Sequence, residues 1–396
     1  MTVQEDFHYY ATYCAAYIAG YTHEESLRVA YAAQFVDCCT KTFIQKVKGP
    51  LVAATTQLQT ELADTRLDFA GLREITRIWA SFHFLPGDLY AHIPRRPKVY
   101  MDEYRLICNP NGDLLVDTLR LAKGKGIEAC GLAMHVLADT WAHRYFAGTP
   151  SFVINDAGEF YEIIRTSGRD EEKKIRFRHN PVAPDDLEKG LFTNSINNYT
   201  ARSIMNLGHG RAGHLPDYSF AVYRYVPAWM NYEAVIKDNP VDYRNAFCQM
   251  IYAMKYLRGE HEKFEKERYD EENIASYSDR IDSILRKRQL SASEDWKAFG
   301  EELSGSKIPG FQVDMYVDEY LNAGETEKPS TFLGRFFTAA IAQKGMVSNR
   351  IYRSGNKRAG IVMDINTLEN MNRRRLLMIA NKIGKAGLDG KNKKNR

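Results

Sequence analysis

The chain has 396 residues, 44% of them hydrophobic and 26% charged, and carries a formal net charge of +4. That length buries a sizeable core in one large body or in two to three domains, and the balance excludes collagen-like, low-complexity and disordered classes. No run approaches the roughly 18 uninterrupted apolar residues of a membrane span. Met1 to Tyr10 carries Glu5, Asp6 and His8 where a secretory leader needs basic and then apolar residues, so the expected compartment is the cytoplasm.

Phe7 to Ala19 reads as a first helix, stopped by Gly20. Thr22-His23-Glu24-Glu25 is a capping box ahead of Leu27, Val29, Ala30, Ala33, Phe35 and Val36 at helical spacing, which predicts a second, buried helix to about Lys46. Gln34 and Asp37 share one face of it, where a carboxylate is costly unless partnered. Residues 80–112 and 147–220 are proline-punctuated and read as loop-rich, with a third helix at Gly126 to Phe146 between them. Short strands are expected only around Ser151 to Ile154 and Phe160 to Ile164.

Acids and bases alternate between Lys255 and Arg288, as on an exposed helix laced with i,i+4 pairs. Breaks at Ser304 to Gly310 and Asn322 to Ser330 read as surface loops. Residues 371–396 hold nine Lys/Arg against Asp389, a balance of +8 that leaves −4 for the rest. Such a tail is either a solvated end or a contact for an anionic partner. Six cysteines without a C-x-x-C pair read as reduced and mostly buried. The expected fold class is mainly α, with a metal-binding body over 1–250, a helical, charged C-terminal appendix over 251–370 and a basic tail over 371–396.

The histidines carry the chemistry. On the third helix, His135, Asp139 and His143 read H-x3-D-x3-H, so the three side chains rise from one stripe of a helix that is apolar nearly all round. A buried, ionised Asp139 needs a partner, and a divalent cation shared with imidazoles is one. A hydrogen-bonded core network is the competing explanation. Four more features lie on apolar or glycine-rich backgrounds: Asp6 and His8 at the chain's head, Asp37, His83 between aromatics, and Gly208 to Asp217 with His209, Arg211 and His214. His23, His92, His179 and His261 lie in polar company and are set aside.

At Asp6 to Tyr10 (D-F-H-Y-Y), His135 to His143 (H-x3-D-T-x2-H) and Gly208 to Asp217 (G-H-G-x-A-G-H-x-P-D), the chain resembles an uncharacterised bacterial family. More distantly it is similar to the zinc-dependent phospholipase C and S1/P1 nuclease superfamily. That resemblance implies a helical core and two or three zinc ions. It implies that His8 binds one ion, with Asp6 standing in for an N-terminal tryptophan ligand. Asp37, His83, His135 and Asp139 would surround a pair, with Asp139 bridging, and His143 with His209 or His214 would serve another. Manganese or iron are the alternatives by ligand type.

The implied reaction is phosphodiester hydrolysis, on nucleic acid or phospholipid, by water that the ions activate. Asp37 would orient that water and Arg211 would neutralise phosphoryl charge. The alternative is a non-catalytic protein whose metals are structural and whose C-terminal region binds a partner.

Overall fold

The third helix forms over Ile127–Ala142 and is the axis of the fold, buried at every residue from Glu128 to Ala142. Its composition permits this because it is apolar nearly all round, so it can be enclosed on every side. Among the described residues, the helices His23–Phe35, Asp113–Ala122, Asn239–Leu257 and Phe332–Arg353 supply most of its packing, with Phe69–Phe82 and Asp6–Ala11 adding to it. Gly131 permits a close approach. A Cβ there would lie 2.3 Å from the Val29 carbonyl oxygen, so the His23–Phe35 helix rests directly on glycine backbone. The computed structural model describes residues 5–58, 69–151, 154–166, 169–177, 187–188 and 208–360, which fall within one compact unit, Met1–Gly360. The expected basic tail, 371–396, lies outside the described residues.

The second helix keeps its capping box but ends at Phe35 instead of continuing to Lys46. Val36 to Cys39 form a turn, and Thr40 caps a separate Lys41–Lys46 helix by accepting from the Phe43 amide at 3.2 Å. The polar Thr40 side chain starts a new helix at the point where the old one would have had to pass through it. As a result Asp37 sits in a turn at a helix end.

The expected mainly α fold with a phospholipase C/P1 nuclease-like helical core is overturned by a sheet. Ala157–Thr166 (β1), Arg169–Lys174 (β2), Val222–Pro227 (β3) and Val235–Asp238 (β4) form a four-stranded antiparallel sheet in the order β2-β1-β3-β4, which makes the protein mixed α/β. The second strand is Arg-Asp-Glu-Glu-Lys-Lys, an edge with no apolar alternation to betray it. A register shift between Gly158 and Tyr161 breaks the alternation of β1. The strand expected at Phe160 to Ile164 lies inside β1. None forms at Ser151 or Ile154, and residues 152–153 lie outside the described ones. Beneath the sheet Tyr225 stacks between Phe146 and Phe160, with centroids 5.5 and 5.3 Å away.

The single exposed helix expected between Lys255 and Arg288 does not form. Gly259, at φ +92°, ends the preceding helix just after Leu257, and residues 258–271 run in turns and coil. Only Ser278–Arg286 is α-helical beyond them within that stretch. The C-terminal helices share the main core: Trp296 meets Phe247 at 5.2 Å, and Phe336 meets Phe35 at 4.9 Å. No helix among the described residues is long and apolar enough to cross a membrane.

Lys344, on the Phe332–Arg353 helix, donates from Nζ to the Thr55 carbonyl at 3.1 Å and lies 3.9 Å from the Glu74 carboxylate. Burial pushes its ammonium down from 10.5 to about 8, Glu74 opposing and Arg77 reinforcing the shift. Between those two values the unfolded chain binds more protons than the folded one, so stability rises with pH across that window. The cost, of order 3 kcal/mol, is present in full below the folded value. Lys344→Met should flatten this rise. Urea titrations on either side of the window measure it, and an unchanged slope would refute the assignment.

Candidate metal centre

Five segments deliver the site. A six-residue π-helix, Asp6–Ala11, carries His8, and such bulges are frequent where function needs a side chain re-aimed. Asp37 comes from the turn after the His23–Phe35 helix, and His83 from just past the Phe69–Phe82 helix. The central helix brings His135 and Asp139, with His143 at its C-cap. The short Gly208–Ala212 helix and the 3-10 turn Leu215–Asp217 bring His209 and Asp217.

Asp139 is the hub. Its Oδ2 lies 3.1 Å from His83 Nδ1, 3.2 Å from His135 Nε2 and 3.5 Å from His143 Nδ1, while its Oδ1 lies 3.1 Å from His8 Nε2. His135 Nε2 and His83 Nδ1 stand 3.2 Å apart, and Asp37 Oδ1 is 3.8 Å from His83 Nδ1. A few ångströms away, Asp217 gathers His209 Nε2 at 3.1 Å, His214 Nδ1 at 3.4 Å and His143 Nε2 at 3.6 Å. Three groups have ligand atoms close enough to share one ion: His8, His135 and Asp139; Asp37, His83 and His135; and His143, His209 and Asp217.

The outer ring nitrogens decide what faces inward. His83 Nε2 is 3.1 Å from the Thr56 carbonyl oxygen, which can only accept, so that nitrogen carries a proton. In neutral His83, Nδ1 is therefore a lone pair aimed at a carboxylate oxygen. His143 repeats the arrangement: Nδ1 donates to the His83 carbonyl at 2.6 Å, so that in the neutral ring the Nε2 lone pair faces Asp217. Lone pair against carboxylate is repulsive unless positive charge is supplied, by a proton on the ring or by a cation between the two, and a ring N–H held by a backbone carbonyl is the usual outer support of a metal-ligating histidine. Ligand atoms of a tetrahedral site with bonds of about 2.0–2.1 Å stand about 3.3 Å apart. The 3.1 to 3.2 Å spacings among His83, His135 and Asp139 fit that size. Asp139 Oδ1 accepts no aligned hydrogen bond, and the Nδ1 atoms of His8 and His135 are buried without a partner.

The electrostatics make the same demand. Burial works against the ionised forms of Asp139 and Asp217, yet the surrounding imidazoles hold both carboxyls well below their usual range. Burial lowers His143, but Asp139 and Asp217 outweigh it and lift it to about 9. His8 is raised because Asp139 overrides its burial. His135 falls to about 4 through burial and the neighbouring His8, and burial lowers His209. The pocket draws positive charge to its carboxylates while leaving some of its imidazoles neutral, as ligands must be.

Two expected residues take other places. Asp6 spends its oxygens on backbone amides, Phe7 at 2.8 Å and Ala292 at 3.1 Å, tying the π-helix to the segment before the Ser293–Ser304 helix. Arg211 directs Nη1 to the Asp156 carboxylate and the Ala157 carbonyl at the start of β1. Of the histidines set aside, His23 Nδ1 contacts the Tyr13 hydroxyl at 2.7 Å, and His179 lies outside the described residues. Sequence reasoning missed the Thr56 carbonyl and Gln57, whose Nε2 reaches Asp37 Oδ1 at 3.4 Å. Gln34 Nε2 lies 3.5 Å from the other oxygen. The ring of Phe84 stacks on His143 at 4.7 Å and closes one wall.

Fold and site together define a mixed α/β protein built around a buried histidine–aspartate centre. The chain belongs to a family of unknown function, DUF6765, whose model matches residues 3–351. No curated protein and no solved structure matches it.

Proposed function

We propose that this protein is a metal-dependent phosphodiester hydrolase whose centre holds two or three divalent cations, zinc by donor type with manganese or iron as alternatives. The observation that carries this reading is the contiguity of the three ligand groups: Asp139 reaches the imidazoles of His8, His83, His135 and His143, so any ions they hold are close neighbours. Closely spaced cations supply Lewis acidity, lower the pKa of a water and neutralise the phosphoryl oxygens of an in-line displacement.

The chain's own part is positioning. Gln34 and Gln57 steady Asp37, which orients the attacking water and takes its proton at Oδ1. Thr56 and the His83 carbonyl fix the rings of His83 and His143. Arg211 ties the Gly208–Ala212 helix to Asp156 at the start of β1, and Asp6 tethers the π-helix to Ala292. The substrate class is a nucleic-acid or phospholipid phosphodiester. The six cysteines are all free thiols, which suits a reducing compartment such as the cytoplasm.

Hydrolysis of a chromogenic phosphodiester should fall to background after chelation and return when Zn2+ is restored, with elemental analysis following the metal in parallel. Activity that survives complete chelation would end this reading. Single-stranded DNA, RNA and phosphatidylcholine then separate the substrates. Removing the ions should also lower thermal stability, since a ligand present at about a thousand times its Kd is worth about 4 kcal/mol to the folded state.

A further inference from the structure

We infer that the centre contains two kinds of cation site: an enclosed one whose ion stays with the fold, and a rim site whose ion exchanges with solvent. This rests on the metal reading above and deepens it. The side chains of His135, Asp139 and His8 are 0 to 2% exposed, and those of His83 and Asp37 are 5% and 7%. In the third group His143 is 9% exposed, but His209 is 19% and Asp217 21%, and the neighbouring His214 is 30%. An incoming chelator or competing metal must touch an ion or its ligands before it can displace it, and among the described residues the third group offers the most such access.

The supporting backbone divides the same way. His135 and Asp139 belong to the helix at the centre of the core, and Asp37 and His83 follow the ends of two helices packed into the same unit. His209 and Asp217 come from a five-residue helix and a three-residue 3-10 turn. Leu215 and Pro216 of that turn are buried, and its backbone is held by Asn239 Nδ2, donating to the Leu215 carbonyl at 2.7 Å and the Tyr218 carbonyl at 2.8 Å, and by the Tyr243 hydroxyl, donating to the Pro216 and Asp217 carbonyls at 3.1 and 3.2 Å. The ligand side chains of His209 and Asp217 nevertheless reach solvent. Releasing an ion from the enclosed groups requires opening the helical core, whereas in the third group His209 and Asp217 already reach solvent, so its ion leaves through a smaller and cheaper local opening. His143 joins the two regions, since its Nδ1 is fixed on the His83 carbonyl while its Nε2 faces Asp217. The rim ion is therefore the one that incoming substrate meets first.

The test follows metal content in the full chain. Protein loaded with Zn2+ is exposed to excess EDTA, or to excess Co2+, and the retained zinc and the cobalt absorption are read over time. Two phases are expected, one ion leaving at least about tenfold faster than the remainder, as one extra local opening of about 1.4 kcal/mol would give. Asp217→Asn should remove the fast phase and keep the slow one. His214→Ala, at the more exposed edge, should speed the fast phase and leave the slow one unchanged, which serves if the first variant folds poorly. A single rate for all ions, or a fast phase persisting in Asp217→Asn, overturns the inference while leaving metal-dependent activity intact. Wild-type protein that retains no ion overturns both.

Discussion

Asp139→Asn should strip the enclosed part of the centre of its metal and reduce phosphodiester turnover by at least about a hundredfold, since changing even an outer-shell partner costs 10–100-fold in metal affinity or activity. The change is nearly isosteric, so packing is preserved and the effect is electrical. Asp139 is the carboxylate shared by His8, His83, His135 and His143, and an amide oxygen offers their ion far less charge. The fold should survive because neutral imidazoles need no counter-ion, and His143, held up to about 9 in part by Asp139, will deprotonate more readily. Elemental analysis, far-UV circular dichroism and turnover distinguish the outcomes. A folded variant with full metal content and undiminished activity would remove Asp139 from the mechanism and the shared-carboxylate argument with it.

What the sequence revealed of this centre was its local part. Three side chains at four-residue spacing on one helix share a stripe by geometry alone, so His135, Asp139 and His143 were legible as a unit. His8, Asp37, His83, His209 and His214 were nominated by residue type and surroundings, because nothing in a linear chain states which loops meet. The supports were not legible. Thr56 acts through its backbone carbonyl, which every residue possesses, so no side-chain pattern marks it. Asp6 accepts the amide of Ala292, far away in sequence, a contact that no local pattern announces.

The sheet failed to announce itself for a different reason. One edge strand, β2, is wholly charged and polar, and the longest strand is bulged, so neither keeps the two-residue alternation on which strand reading depends. The charged run after Leu257 misled in the opposite direction. Opposite charges at helical spacing favour a helix by only about 0.2–0.5 kcal/mol per pair. Instead Phe264 is buried, its ring 5.2 Å from that of Tyr252, and the run follows that anchor.

Gly131→Ala provides the complementary experiment, because it disturbs the centre through packing with no change of charge. Inside a helix, alanine is preferred to glycine by about 1 kcal/mol, so the substitution is stabilising on propensity alone. Here a Cβ would stand 2.3 Å from the Val29 carbonyl oxygen and 2.6 Å from Ala32 Cβ, distances that force the His23–Phe35 and Ile127–Ala142 helices apart. Overpacking of this kind costs about 1–3 kcal/mol and sometimes more, so the clash prevails and the urea midpoint should fall. Gly131→Leu should fall further. The displaced helices carry His135 one turn beyond the substitution and lead into Asp37 just past Phe35, so metal retention should weaken together with stability. Asp139→Asn, by contrast, should lose metal through charge, and its metal-free form should unfold below metal-free wild type because the imidazoles that hold the Asp139 carboxyl well below its usual range lose their partner. An alanine variant that is more stable than wild type and binds metal equally well would show that the close approach at Gly131 does not position the centre.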